Sequence, residues 1–128
     1  MTYSLKPGVV SGDDYKILLK AAKEGGYAIP AVNTVGTNSV NAVMEAAAKN
    51  KSDVIIQFSN SAGQFYAGKS LSDAFEAKVM GSISAAMHIH LLAEKYGICV
   101  VLHTDHANKG LIPWVEALIS HSEVHFQK

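Results

Sequence analysis

An uninterrupted apolar run, ICVVL at residues 98–102, is the feature that most constrains how this chain folds. Its residues do not alternate with polar ones, as they would in a strand with one face in solvent. A continuous run of this kind, rich in valine and isoleucine, is typical of a parallel strand buried on both faces. It ends directly at His103-Thr104-Asp105-His106. The sequence therefore predicts a strand over residues 98–104 within a parallel sheet.

Apolar runs and helical periodicities alternate along the rest of the chain. Short apolar runs predict two further strands over residues 28–33 and 54–59. Apolar residues at three- and four-residue steps, between capping residues and glycines, predict helices. The predicted helices cover residues 13–23, 37–47, 74–96 and 111–120, and a loop rich in glycine and serine covers residues 60–70. This alternation predicts an α/β fold with a parallel sheet, for which three strands are few, so we expect part of a larger sheet.

The composition fits one globular domain and disfavours several classes of protein. The 128 residues include 11 lysines, no arginine and 11 acidic residues, so the formal net charge is zero. Nucleic-acid-binding proteins present a basic surface, and we expect no nucleic-acid partner here. Cys99 is the single cysteine, so no internal disulfide forms. Neither a signal peptide nor a run of about 18 apolar residues is visible, and we expect a cytoplasmic protein without membrane contact.

The four residues directly after the apolar run, 103–106, are the strongest candidates for chemistry. In parallel α/β folds, functional residues collect where strands end, because the loops there surround one crevice. An imidazole beside a carboxylate suits a metal site in which His106 binds zinc and Asp105 acts as an acid or base. The alternative is that His103 and His106 are merely polar residues at a strand exit.

A second candidate is GQFYAGKS at residues 63–70, which fits the phosphate-binding pattern GxxxxGK[ST] and follows a predicted strand. Two observations disfavour a nucleotide site. Phe65 and Tyr66 place bulky rings where backbone amides would have to surround phosphates. The next helical pattern begins only after Ser72 and Asp73, either of which is a natural helix cap. We therefore expect no phosphate cradle in this segment.

The remaining histidines are weaker candidates. His88 and His90 are two residues apart in a predicted helix, so they point to different sides and cannot jointly bind one metal ion. Packing or surface roles are the better interpretation for both. His121 and His125 are four residues apart and could share a helix face, but nothing else in that segment indicates a function.

Several long segments resemble one enzyme family. CVVLHTDHANKGLIPW at residues 99–114 is similar to class II, zinc-dependent fructose-bisphosphate aldolases, in particular those of fungi and many bacteria. Further segments resemble the same family in the same order: KPGVVSGDD, AIPAVNTVGTNSVNAVMEAA, VIIQFSNSAGQFYAGK and GLIPWVEAL. The family fold is a (β/α)8 TIM barrel with a leading helix. The resemblance thus implies that residues 1–128 are the N-terminal part of one barrel domain, covering the leading helix and about three βα units.

The resemblance also implies roles for individual residues. His106 resembles the first of three histidine ligands of a catalytic Zn²⁺ ion, and Asp105 resembles the carboxylate that exchanges a proton with the substrate's C4 hydroxyl. Asn33 and Ser59 resemble residues that bind a substrate phosphate, and Gln57 resembles a neighbour of that site. The family's other zinc ligands, its proton-abstracting glutamate and its remaining phosphate contacts would lie beyond residue 128.

The implied reaction is the reversible cleavage of fructose 1,6-bisphosphate to dihydroxyacetone phosphate and glyceraldehyde 3-phosphate, in glycolysis and gluconeogenesis. The resemblance implies a homodimer for the full-length enzyme, with sugar bisphosphate and triose phosphates as its small-molecule partners. We expect the 128-residue chain alone to be inactive. A tagatose-bisphosphate aldolase, a P-loop nucleotide-binding module and a catalytically dead fragment that acts by association are the alternatives.

Overall fold

The structure, a computed structural model, describes residues 4–127, which form four strands, five α-helices and one 3-10 turn. In chain order they are β1 (Gly8–Val9), α1 (Gly12–Gly25), β2 (Ala31–Asn33), α2 (Thr37–Lys49), β3 (Val54–Ser59), α3 (Asn60–Ala67), α4 (Ala74–Tyr96), β4 (Cys99–Asp105), the 3-10 turn (Lys109–Leu111) and α5 (Ile112–Phe126). The expected domain of residues 1–128 also includes residues 1–3 and 128, which lie outside the described residues. No helix within residues 4–127 is long and apolar enough to cross a membrane.

All four strands pair in parallel in one sheet, in the order β1-β4-β3-β2. This confirms the predicted parallel α/β architecture. Strand β2 begins at Ala31, later than predicted, because Pro30 has no N–H to donate to a ladder and contributes only its carbonyl, which accepts from Ile55 N–H at 2.9 Å. Strand β1 was not predicted, since two residues opposite Cys99 and Val100 are too short to show a pattern.

The two faces of the sheet are covered differently. Side chains alternate along a strand, so Val54, Ile56 and Phe58 of β3 share one face. They form the larger core with buried residues of α2 and α4, among them Met44 and Ile89. Within residues 4–127, the opposite face is covered only toward the amino ends of the strands, where Leu18 of α1 packs with Val10, Cys99 and Val101. The carboxyl ends of the strands are thus left accessible on that face.

The segment predicted as a loop over residues 60–70 is largely helical, and this prediction was wrong. Helix α3 begins directly after β3, where the Ser59 hydroxyl caps it by accepting from Ala62 N–H at 3.1 Å. Helix α4 holds α3 in place at a backbone contact between Gly63 and Gly81. A Cβ built on Gly81 would lie 1.7 Å from the Gly63 carbonyl oxygen. Tertiary contact at two glycines therefore accounts for a helix that local sequence does not favour.

The predicted ends of α1, α2 and α4 lie within two residues of those observed. Asp73 caps α4 by accepting from Glu76 N–H at 2.9 Å, and Gly97 ends it in the left-handed conformation. Helix α5 runs to Phe126, six residues beyond its predicted end at Ser120. It is attached to α4 by Trp114, which is 1% exposed and donates its indole N–H to the Lys78 carbonyl at 3.4 Å.

The glycine contact generates a stability prediction. We expect Gly81→Ala to lower the free energy of unfolding by about 3 kcal/mol, because the added methyl group forces α3 and α4 apart. Ser84→Ala, at an exposed position of the same helix, is the matched control and should change stability by no more than about 0.5 kcal/mol. Urea denaturation followed by circular dichroism measures both. Equal stability of the two variants would show that the helices can separate without cost.

Cys99 generates a second prediction. Burial, with a further contribution from the Asp53 carboxylate, raises the pKa of the Cys99 thiol to about 11. Since the thiolate is the reactive form, we expect the folded chain at about pH 8 to react with a disulfide reagent at least roughly a hundredfold more slowly than the urea-unfolded chain. The rate for the folded chain should rise as the pH approaches the raised pKa. Equal rates before and after unfolding would contradict a buried, protonated thiol.

Candidate functional site at the carboxyl edge of the sheet

The parallel register brings polar residues of three strands to one edge of the sheet. Asn33 at the end of β2 lies opposite Gln57 of β3. Gln57 lies opposite His103 of β4, and Ser59 lies opposite Asp105. Because side chains alternate along each strand, Gln57 and Ser59 point to the face that α1 leaves open at this end. The strand ends identified from sequence therefore meet at one accessible edge.

Three of these side chains form a continuous hydrogen-bonded chain. Gln57 donates from Nε2 to Asn33 Oδ1 at 2.7 Å, and Asn33 donates from Nδ2 to Asp105 Oδ2 at 2.8 Å. The oxygen of the Asn33 amide is therefore an acceptor, and its NH2 group is a donor. Residues that are 72 positions apart in sequence are joined through one amide group. The result is a carboxylate with one oxygen oriented by the protein.

The other oxygen of Asp105 faces His106. The distance from Asp105 Oδ1 to His106 Nε2 is 3.6 Å. The Asp105 side chain is only 22% exposed, whereas that of His106 is 94% exposed. This arrangement places a largely enclosed carboxylate beside an accessible imidazole, a pairing suited to moving a proton next to a bound ion.

The backbone at His106 is strained. His106 has a φ of +46°, and Lys51 is the other non-glycine residue with a positive φ among those that the structure describes. This left-handed conformation is unfavourable for a residue with a Cβ, and such strain concentrates at functional sites. It occurs directly after β4, where the imidazole is exposed beside Asp105.

Ser59 is at the same edge but makes different contacts. Its hydroxyl accepts from Ala62 N–H and lies 3.1 Å from Ser61 Oγ. Ser59 therefore lies where β3 passes into α3, next to backbone amides at the amino end of that helix. An anion at this position would be favoured by the helix dipole and by the free amides of the first turn.

Within residues 4–127, the other candidate residues form neither a metal site nor a nucleotide site. Gly63 to Ala67 lie inside α3, so their amides serve the helix and form no phosphate cradle. His88 Nε2 lies 2.8 Å from Asn41 Oδ1, a contact that ties α4 to α2. The ring centroids of His90 and His125 are 5.3 Å apart, and the two ring planes are tilted by 44°. Nowhere within residues 4–127 do three His, Cys, Asp or Glu side chains come together to hold a metal ion.

Sequence reasoning did not identify Thr34 and Tyr66 as part of this region. The Tyr66 hydroxyl lies 3.2 Å from Thr34 Oγ1 and 3.1 Å from the Gly36 carbonyl oxygen. In the sequence, Tyr66 stands out only as a bulky ring within the phosphate-binding pattern. Its position close to Ser59 in the sequence was the one indication of a role. That position does not reveal that its partner, Thr34, lies 32 residues earlier.

Comparison with known proteins identifies similar sequences and a similar structure. A family model described as "Fructose-bisphosphate aldolase class-II" matches residues 13–127. The chain is 52% identical over 124 residues to "Fructose-bisphosphate aldolase class 2" of Escherichia coli K12, covering 95% of this chain and 34% of that protein. It is 55% identical over 115 residues to a fructose-bisphosphate aldolase of Campylobacter jejuni, covering 90% of this chain and 32% of that protein.

A crystal structure of fructose-bisphosphate aldolase from Campylobacter jejuni superposes with a TM-score of 0.92 at 51% sequence identity. The superposition covers 97% of this chain and 35% of that chain. The chain thus spans about a third of the length of the relatives that it matches. At this identity and coverage, the arrangement of strands and helices matches that of an aldolase over nearly the whole chain.

The strain at His106 predicts an unusual response to glycine. We expect His106→Gly to be more stable than His106→Ala by about 0.5–1 kcal/mol, because glycine adopts the left-handed conformation freely. Ser84, an exposed residue in the interior of α4, is the control. There the order should reverse, since glycine is about 0.5–1 kcal/mol less favourable than alanine inside a helix. Thermal denaturation of the four variants tests this, and a less stable glycine variant at position 106 would contradict it.

Proposed function

Because the chain belongs to the class II fructose-bisphosphate aldolase family, we propose that it contributes one part of the active site of a fructose-bisphosphate aldolase. In this proposal residues 1–128 are the N-terminal part of a single (β/α)8 barrel, and the enzyme is a cytoplasmic homodimer. The substrates are fructose 1,6-bisphosphate and the two triose phosphates. The observation that carries the proposal is the oriented carboxylate of Asp105, held by Asn33 at the carboxyl edge of the sheet.

Asp105 is the proposed proton-transfer group. During cleavage its carboxylate accepts the proton of the substrate hydroxyl next to the breaking carbon–carbon bond, and during condensation it returns that proton. Asn33 donates to Oδ2 of Asp105. The other oxygen, Oδ1, is directed toward His106 and is available for the proton transfer. Gln57 fixes the Asn33 amide in the orientation that makes it a donor to Asp105. The three side chains thus favour one proton-accepting geometry.

His106 is the proposed zinc ligand. Its exposed imidazole beside a carboxylate fits one position of a zinc site. A catalytic zinc ion has about three protein ligands, so the others would come from outside residues 4–127. When bound, zinc acts as a Lewis acid on a carbonyl oxygen of the substrate. His106 and Asp105 are then adjacent groups with separate tasks, one holding the ion and one moving the proton.

Asn33 and Ser59 are the proposed phosphate-binding residues, with Gln57 as their neighbour. The Asn33 amide has two N–H groups, of which one donates to Asp105. The second remains for a ligand, because it makes no hydrogen bond within residues 4–127. Ser59 contributes its position at the amino end of α3, where the first-turn amides point outward. Phosphate binding there would position the substrate relative to Asp105.

A hybrid enzyme tests the proposal. In this hybrid, residues 4–127 replace the matching segment of the Escherichia coli class 2 relative. We expect it to cleave fructose 1,6-bisphosphate in a coupled assay when zinc is supplied. Asp105→Ala should reduce kcat by at least about a hundredfold, since positioned proton transfer contributes roughly 10²–10⁴. Asp73→Ala, which removes a carboxylate that caps α4, is the matched control and should retain activity.

Zinc content is the second readout. His106→Ala should lose bound zinc and activity together, whereas His121→Ala, which removes another exposed histidine, should retain both. The isolated 128-residue chain should show no turnover. An inactive hybrid, or a hybrid whose activity survives Asp105→Ala, would refute the proposal. Faster cleavage of tagatose 1,6-bisphosphate than of the fructose isomer would instead favour the tagatose-bisphosphate alternative.

A further inference from the structure

The segment between β2 and α2, residues 34–36, is held from several directions. Thr34 N–H donates to the Gln57 carbonyl at 3.2 Å, which extends the contact between β2 and β3 by one hydrogen bond. Val35 N–H donates to Ser39 Oγ at 3.0 Å, and that hydroxyl lies 2.9 Å from the Gly36 carbonyl oxygen. These contacts fix the backbone immediately after Asn33. We call residues 34–36 the β2–α2 segment.

Tyr66 contacts this segment from α3. Its hydroxyl lies 3.1 Å from the Gly36 carbonyl oxygen and 3.2 Å from Thr34 Oγ1. Thr34 is only 2% exposed, so its hydroxyl depends on a partner within the protein. Burial raises the pKa of Tyr66, so the phenol keeps its proton at neutral pH and can donate to the Gly36 carbonyl.

Tyr66 is itself held rigidly. Its ring packs edge-on against Phe58 of β3, with ring centroids 5.7 Å apart and an interplanar angle of 83°. The helix that carries it is anchored at one end by the Ser59 cap and in its middle by the contact between Gly63 and Gly81. Its hydroxyl therefore lies at a position fixed by β3 and α4, independent of the β2–α2 segment.

We propose that Tyr66 is a positioning residue that, through the β2–α2 segment, holds Asn33 against Asp105. Asn33 directly precedes Thr34, so the backbone that leaves β2 determines where the Asn33 amide lies. That amide must reach Gln57 and Asp105 simultaneously, at 2.7 and 2.8 Å. A small displacement of the segment would lengthen one of these hydrogen bonds. The catalytic part of this inference rests on the proposed function of Asp105.

A purely structural role for Tyr66 has a different consequence. In that case its hydroxyl would serve only to satisfy the buried Thr34 hydroxyl, and removing both groups would restore the protein. Replacing both partners of a buried hydrogen bond by apolar groups of the same shape is nearly neutral for stability. The double variant Thr34→Val/Tyr66→Phe therefore separates the two roles, because it removes the unsatisfied hydroxyl but does not restore the hydrogen bond to the Gly36 carbonyl.

The experiment compares Tyr66→Phe, the double variant and the control Tyr96→Phe. Tyr96 is partly buried against the same core and makes no hydrogen bond through its hydroxyl within residues 4–127. Amide hydrogen exchange of residues 34–40 is measured by mass spectrometry in the isolated chain and in the hybrid enzyme. The kcat of the hybrid and its midpoint of urea denaturation are measured in parallel.

We expect Tyr66→Phe to accelerate exchange of residues 34–40 and to lower kcat, each by about threefold to tenfold, the range that corresponds to one hydrogen bond. In the double variant the urea midpoint should recover, but exchange should stay fast and kcat low. Tyr96→Phe should change neither. Unchanged exchange in Tyr66→Phe, or kcat that recovers together with stability in the double variant, would overturn the proposal. A parent hybrid without activity would refute the proposed function, while the exchange measurement would still decide whether Tyr66 holds the segment.

Discussion

The parallel pairing of β3 with β4 over six residue pairs is the constraint on which the rest of the structure depends. It places Ser59 opposite Asp105 and Gln57 opposite His103, and it aligns the apolar halves of both strands. A shift of this register by one residue would turn these side chains to the face that α2 and α4 cover. The carboxylate and imidazole groups would then be buried among Met44 and Ile89. Burial of an unpaired carboxylate is costly, so the register that stabilises the core also determines the site.

Each central strand divides its open face into a half that packs against α1 and a half that carries the candidate site. At the amino end, Ile55 and Val101 pack with Leu18, which is fully buried. Burying a leucine side chain contributes about 1.5–3 kcal/mol, so α1 stabilises this end of the sheet. At the carboxyl end, the same face carries hydrogen-bonded polar groups. Because of this separation, substitutions at Asp105 or His106 should cause little loss of core packing.

The sequence predicted the elements that local pattern determines, and it did not predict those that depend on distant partners. The apolar runs located β3 and β4, and Asp73 and Gly97 correctly indicated the limits of α4. The segment of α3 is rich in glycine and serine and predicts a loop, because the stability of this helix depends on contact with Gly81, which local propensity does not reveal. Strand β1 has only two residues and depends on β4 for its hydrogen bonds.

The candidate site, too, could be predicted only where it depends on local pattern and not on distant partners. Strand-end placement predicted which residues share the edge, since the carboxyl ends of parallel strands meet there. It could not predict that the Asn33 amide bridges Gln57 and Asp105, because that depends on side-chain orientation. The contribution of Tyr66 was hidden for the same reason.

Within residues 4–127 the outer edge of β4 pairs only at Cys99 and Val100, so its last five residues lack a neighbouring strand there. The proposed barrel accounts for this exposed edge, because closure would pair it with a further strand, and strand ends further round the barrel would then supply the other ligands of the proposed zinc site at His106.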